Sequence, residues 1–94
     1  MQVIRSFAAK QTRALFETGK SRRWNSIARV AVRRLVQIDS VTRLDELNAP
    51  PGNRLEALKA DRTGQHSIRI NDQWRICFRW ETDGVYDVDI VDYH

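Results

Sequence analysis

The sequence predicts a small α+β domain of order β-α-α-β-β-β-β, with N-terminal helices packed on one face of a small antiparallel sheet. Three observations predict it. Apolar residues recur at the 3.6-residue helical period up to about position 40, and at period two after the break at Pro50, Pro51 and Gly52. The runs of the second half are separated by "KADRTG", "NDQ" and "ETDG", which are hairpin-length connections rich in turn formers. Helices first and strands after place two helices over one sheet.

Each element follows from its own pattern. "VIRSF" (3 to 7) reads as a first strand that joins the sheet, and "AAKQTRALFETGK" as a helix with Ala9, Leu15 and Phe16 inward and Gly19 as its stop. "SRRWNSIARVAVRRLVQIDS" (21 to 40) sets Trp24, Ile27, Ala28, Ala31, Leu35 and Ile38 on one helical stripe, with Arg29, Arg33 and Arg34 elsewhere. "VTRLDELN" adds a short helical turn before the prolines. "RLEAL", "HSIRI", "WRICFRW" and "VYDVDIVDY" are then the four strands of a meander.

With 94 residues there is room for one core, so residues 1–94 are expected to form one domain. Hydrophobic content of 41% and charged content of 30% are those of a soluble globular chain. The single cysteine excludes an internal disulfide, no apolar run reaches the length that spans a bilayer, and "MQVIRSFAAK" has no signal-peptide core. A cytoplasmic protein with no membrane association is expected. Net charge is +4, but it is regional: residues 1 to 40 hold nine Lys or Arg against Glu17 and Asp39, and residues 81 to 94 hold five acids and no Lys or Arg. A basic region suits nucleic acid and equally an acidic protein partner.

Alternation along strands divides the sheet into two faces. Ile68, Ile70, Trp74, Ile76, Phe78, Trp80, Val88 and Ile90 form the core row, so the other face carries Arg69, Arg75, Cys77, Arg79, Asp87, Asp89, Val91 and Tyr93, with no element left to cover it. Arginines beside a tyrosine suit phosphates and exposed bases, although pairing of Arg75 and Arg79 with Asp87 and Asp89 across strands would account for them as structure. RNA cleavage by in-line attack of the 2′-hydroxyl needs a base, an acid for the leaving oxygen, and cations for the charged phosphorane. Glu56, His94, and Lys59 with Arg75 can fill those roles. Arg54, Arg62, Arg69 and Arg79 are the candidate RNA-backbone contacts. His66 and His94 with scattered acids lack metal-ligand spacing, Cys77 lies in a strand without a nucleophile motif, and no Gly-rich phosphate loop exists, so neither a metal nor a cofactor is expected.

"IRSF", "LFETGK", "NRLEALKADRTGQHSIRINDQWRICFRW" and the final "VDYH" occur in the order and at the spacing of the HigB toxins of bacterial type II toxin–antitoxin systems, within the RelE/ParE superfamily, and the sequence resembles that family over nearly its whole length, above all its GraT-like subgroup. The resemblance implies a ribosome-dependent, metal-independent endoribonuclease that cuts messenger RNA and inhibits translation and growth. It implies a HigA-like helix-turn-helix antitoxin as partner, with operator DNA met only through that antitoxin. The family's functional positions fall on Lys59, Arg75, Asp92, Tyr93 and His94. Its histidine does not carry over: Glu56 holds that position, and His66 stands where those relatives have tryptophan. Two other readings compete, a non-catalytic or weakly catalytic RNA- or ribosome-binding growth inhibitor of the same superfamily and a gyrase poison of the ParE kind, the latter disfavoured by the "VDYH" ending.

Overall fold

The computed structural model describes residues 3–92. Two helices, α1 (Lys10–Thr18) and α2 (Ala28–Ser40), lie against an antiparallel sheet of four strands, β1 (Glu56–Ala57), β2 (Gln65–Arg69), β3 (Trp74–Glu81) and β4 (Gly84–Asp92), in the order β1-β2-β3-β4. Short 3-10 turns over Leu44–Asn48, Pro51–Asn53 and Ala60–Arg62 fill the connections.

Helix α1 stops where the sequence expects, at Gly19, whose left-handed backbone (φ 75) lets its N–H return to the Leu15 carbonyl at 2.8 Å. Helix α2 starts at Ala28, four residues after Trp24, where its apolar stripe begins. The Ser21 hydroxyl accepts from the Trp24 N–H and Ile27 donates to the Trp24 carbonyl, so residues 23 to 27 are turns that still bury Trp24 and Ile27. The core gathers Leu15, Trp24, Ala31, Leu35 and Ile38 of the helical layer against Ile68, Ile76, Phe78, Val85 and Val88 of the sheet. Trp24 meets Trp74 edge-on at 6.3 Å.

The first predicted strand reduces to two isolated parallel bridges, Ile4 to Val85 and Phe7 to Val88, beside β4. It alternates hydrogen bonds with β4 (Val85 N–H to Val3 O, 2.8 Å; Arg5 N–H to Val85 O, 2.7 Å; Ala8 N–H to Val88 O, 2.9 Å), but the ladder is interrupted because β4 bulges. Between Cys77 and Arg79 the register slips: Cys77 faces Asp89 while Arg79 faces Tyr86. Asp87 takes positive φ (57), and its N–H goes to the Ser6 hydroxyl at 2.9 Å. The bulge corrects the parity reading, because it turns Val85 into the core along with Val88 and moves Tyr86 beside Arg79.

The second face also departs from expectation. It is not uncovered: Ser67 and Cys77 are fully buried and Arg75 nearly so. The expected strand 54 to 58 pairs only through Glu56–Ala57, because Arg54 turns into left-handed backbone (φ 47), and the segment from there to Arg62 folds over the sheet. Leu58 is buried there, outside the main cluster. The chain is led to this position by Asn53, whose buried amide donates to Gln37 Oε1 (2.9 Å) and the Leu47 carbonyl (3.0 Å).

Gly84 closes the β3–β4 hairpin at φ 155, and a Cβ there would stand 2.9 Å from the Val3 carbonyl oxygen that pairs with β4. The Gly84→Ala variant is expected to lose about 2 kcal/mol of stability in urea denaturation, through strain and displacement of the N-terminal segment.

Candidate functional site

The candidate residues do not all meet. Those that do are brought together by one buried guanidinium. Arg75, on β3, pairs in register with Val91 and Arg69, which sets its side chain on the face away from the helices. Its Nε donates to Ser67 Oγ at 2.8 Å, and its Nη2 donates to the Arg54 carbonyl at 2.6 Å and the Ser67 carbonyl at 3.3 Å. The same Nη2 stands 3.1 Å from Glu56 Oε1. The Arg75 side chain is 9% exposed and that of Glu56 is 52% exposed, so the pair has a dry end and a wet one. A cation with so little access to water requires such partners, and β1, β2 and the turn before them supply these.

Glu56 opens into a groove of about 310 Å³ lined also by Ala57, Leu58, Lys59 and Arg62. Lys59 is exposed and has no acidic partner among the described residues. Arg62 donates to Gln65 Oε1 at 3.2 Å. The groove therefore joins one fixed carboxylate to two cations, a set able to take a proton and to stabilise a developing anion. A larger groove, about 630 Å³, runs along Gly19, Lys20, Ser21, Arg22, Asn25 and Ala28. It contains neither a carboxylate nor an imidazole, and so lacks a base.

The other candidates are placed differently. Arg79 is held at 3.3 Å from Asp87 and 3.7 Å from Glu81, with its guanidinium over the Tyr86 ring, which is the structural pairing the sequence allows. Arg75 takes Glu56 rather than Asp87 or Asp89 as its acid, because the register sets Val91 opposite it. Arg69 is ion-paired with Asp72 at the far end of β2. Arg54 is exposed, so its side chain reaches solvent while its carbonyl points inward to Arg75. Asp92 lies opposite Trp74 in register and accepts from Gln73 Nε2 at 3.1 Å, which puts it on the helix side of the sheet and three strands from β1. Tyr93 and His94 lie outside the described residues. Ser67 is the member that sequence reasoning misses: a serine in a strand has no signal of its own, and only the β2–β3 register brings it near Arg75.

His66 and Cys77 have structural settings. His66 stacks on Phe78 (ring centroids 6.3 Å apart), its Nδ1 is buried without a hydrogen-bond partner among the described residues, and burial pulls the imidazole below its ordinary pKa. The Cys77 thiol is raised by burial, which keeps it protonated and inert as a nucleophile.

Residues 5–94 match the family described as the RelE-like toxin HigB of type II toxin–antitoxin systems. The chain is 36% identical to Toxin HigB-1 of Vibrio cholerae over 90 residues, covering 94% of each, and 35% identical to Endoribonuclease HigB of Proteus vulgaris over 94 residues, covering 98% of this chain and 100% of the other. Among solved structures it resembles a chain of the YoeB-YefM complex from Staphylococcus aureus, with a TM-score of 0.57, 16% identity, and coverage of 100% of this chain and 98% of that one. At that identity the likeness shows the fold.

The setting of His66 has a consequence for pH. An unfolded imidazole takes up a proton near pH 6.5 and the folded one only at lower pH, so between those values the unfolded chain binds more protons and acid favours unfolding. Chemical denaturation at pH 7 and pH 5 is expected to show a larger acid loss of stability for the native sequence than for the His66→Gln variant.

Proposed function

This chain belongs to the HigB family of RelE-like toxins of type II toxin–antitoxin systems, and from that premise we propose that it is a metal-independent endoribonuclease that cuts messenger RNA on the ribosome and so arrests translation and growth in the cytoplasm. The whole chain, 1–94, serves as one toxin domain. The observation that carries this reading is the groove in which Glu56 stands beside Lys59 and Arg62, in a chain 35% identical to a protein named Endoribonuclease HigB.

The chemistry follows from the groove. Glu56 takes the proton of a ribose 2′-hydroxyl, and the freed oxygen attacks the adjacent phosphorus in line. The phosphorus–5′-oxygen bond then breaks, leaving a 2′,3′-cyclic phosphate, and the departing oxygen receives a proton from an acid, the role given to His94. Lys59, exposed and free of acidic partners among the described residues, holds the phosphorane charge with Arg62 beside it. Tyr93 belongs with His94 to the family's terminal set, Asp92 stands apart from the groove on the helix side of the sheet, and Arg54 extends the cationic rim along the RNA backbone. The ribosome orients the strand, which lowers what the protein itself must supply.

A toxin of this class has an antitoxin partner, and the likeness to a chain of the YoeB-YefM complex supports such pairing for the fold. We assign the partner to the HigA-like helix-turn-helix class, through which operator DNA is met.

Primer extension on a message incubated with the protein, with and without translating ribosomes, is expected to give cuts within codons only when ribosomes are present. Replacing Lys59 by Gln is expected to lower cleavage about 10²-fold. An uncut message in both reactions, with growth still inhibited, would replace the enzyme by a non-catalytic ribosome binder.

A further inference from the structure

We propose that Arg75 is a positioning residue that acts through Glu56, and not a cation that grips the scissile phosphate. The proposal rests on the nuclease reading of the groove and assigns a different place in it to this arginine.

Arg75 is the most deeply buried of the candidate cations, with 7% of the residue exposed. Its Nη2 is shared among the Arg54 carbonyl, the Ser67 carbonyl and the Glu56 carboxylate, while its Nε is given to Ser67 Oγ. A phosphate oxygen that sought this edge of the guanidinium would have to displace partners that are already charged or buried. Lys59 and Arg62 line the open groove and need displace nothing of the kind. Phosphate charge therefore falls to those two residues.

What Arg75 does instead is fix the base. Glu56 sits in a strand of two residues, and such a strand has little backbone pairing to hold it. The two sides of β1 are nonetheless pinned to the same guanidinium: the Arg54 carbonyl precedes Glu56 by two residues, and Ser67 is its Cα partner across the ladder. Planar, forked donors can make these contacts at once, and a lysine ammonium, which keeps the charge, cannot. That difference separates the two roles. A phosphate-binding cation is partly replaced by lysine, and a positioning fork is not.

The experiment is a double-mutant cycle on ribosome-dependent cleavage with Arg75→Lys, Glu56→Gln and the pair, each first checked for a native melting transition and for antitoxin binding. Arg75→Lys is expected to lower kcat about 10²-fold, as misplacement of a catalytic group does, with KM for the programmed ribosome changed less than about twofold. In the Glu56→Gln background the same substitution is expected to cost under about threefold, since the group it orients is gone. Losses that multiply, a raised KM with weakened salt dependence, or full activity in Glu56→Gln would each overturn the proposal. A native sequence that cleaves nothing would overturn the nuclease reading itself, a result distinct from any of these.

Discussion

A guanidinium removed from water has to be given back nearly all of the hydrogen bonds it gives up, and the second face of this sheet is organised around meeting that demand for Arg75. Ser67 answers from the neighbouring strand, Arg54 with a carbonyl, and Glu56 with a charge. Each of those partners belongs to a different piece of chain, so one side chain fastens the turn before β1, β1 itself and β2 to the middle of β3. A two-residue strand has little else to keep it in place. The groove that holds Lys59 and Arg62 begins where this fastening ends, and its wall inherits the geometry.

The connection upstream is held in a comparable way. Asn53 is buried with its amide aimed at Gln37 of α2 and at the Leu47 carbonyl, and Gln37 in turn donates to the Ala49 carbonyl at 2.7 Å. Helix α2 therefore governs where the proline-rich loop turns back toward the sheet. Asn53 before Arg54 and the Arg75–Glu56 pair after it do what a continuous strand would have done, and they leave the outer surface of the segment to the groove.

Much of this was legible in the sequence, and what was not has physical reasons. The helical stripe of α2, the Gly19 stop and the alternation of β3 gave the layers and the core, because Leu35, Ile38, Ile76 and Phe78 are buried for the ordinary reason that they are apolar and periodic. The start of α2 is not legible, since Trp24 and Ile27 are buried equally well by a turn. The β4 bulge is not legible either, because a single residue at positive φ leaves no mark in an alternating pattern, and Asp87 is a residue type that tolerates it. For the site, Glu56, Lys59 and Arg62 could be gathered from one short stretch. The burial of Arg75 is not legible, since arginine in a half-polar strand ordinarily faces solvent, and pairing with Ser67, the Arg54 carbonyl and Glu56 reverses this. Asp92 illustrates the limit of motif reading: it belongs to the same terminal motif as Tyr93 and His94, yet the register turns it to the helix side of the sheet.

Arg54 draws two separate requirements onto one position. Its left-handed backbone directs the carbonyl to Arg75, a task that glycine or asparagine would perform with less strain, while its long side chain remains outside. Natural variation at such a site is pulled in two directions. Lineages under pressure only to keep the fold would drift toward the small residues, and those that retain arginine carry a standing conformational cost whose return has to come from the solvent side. The residue type at this position in a set of relatives is thus a record of which pressure has acted.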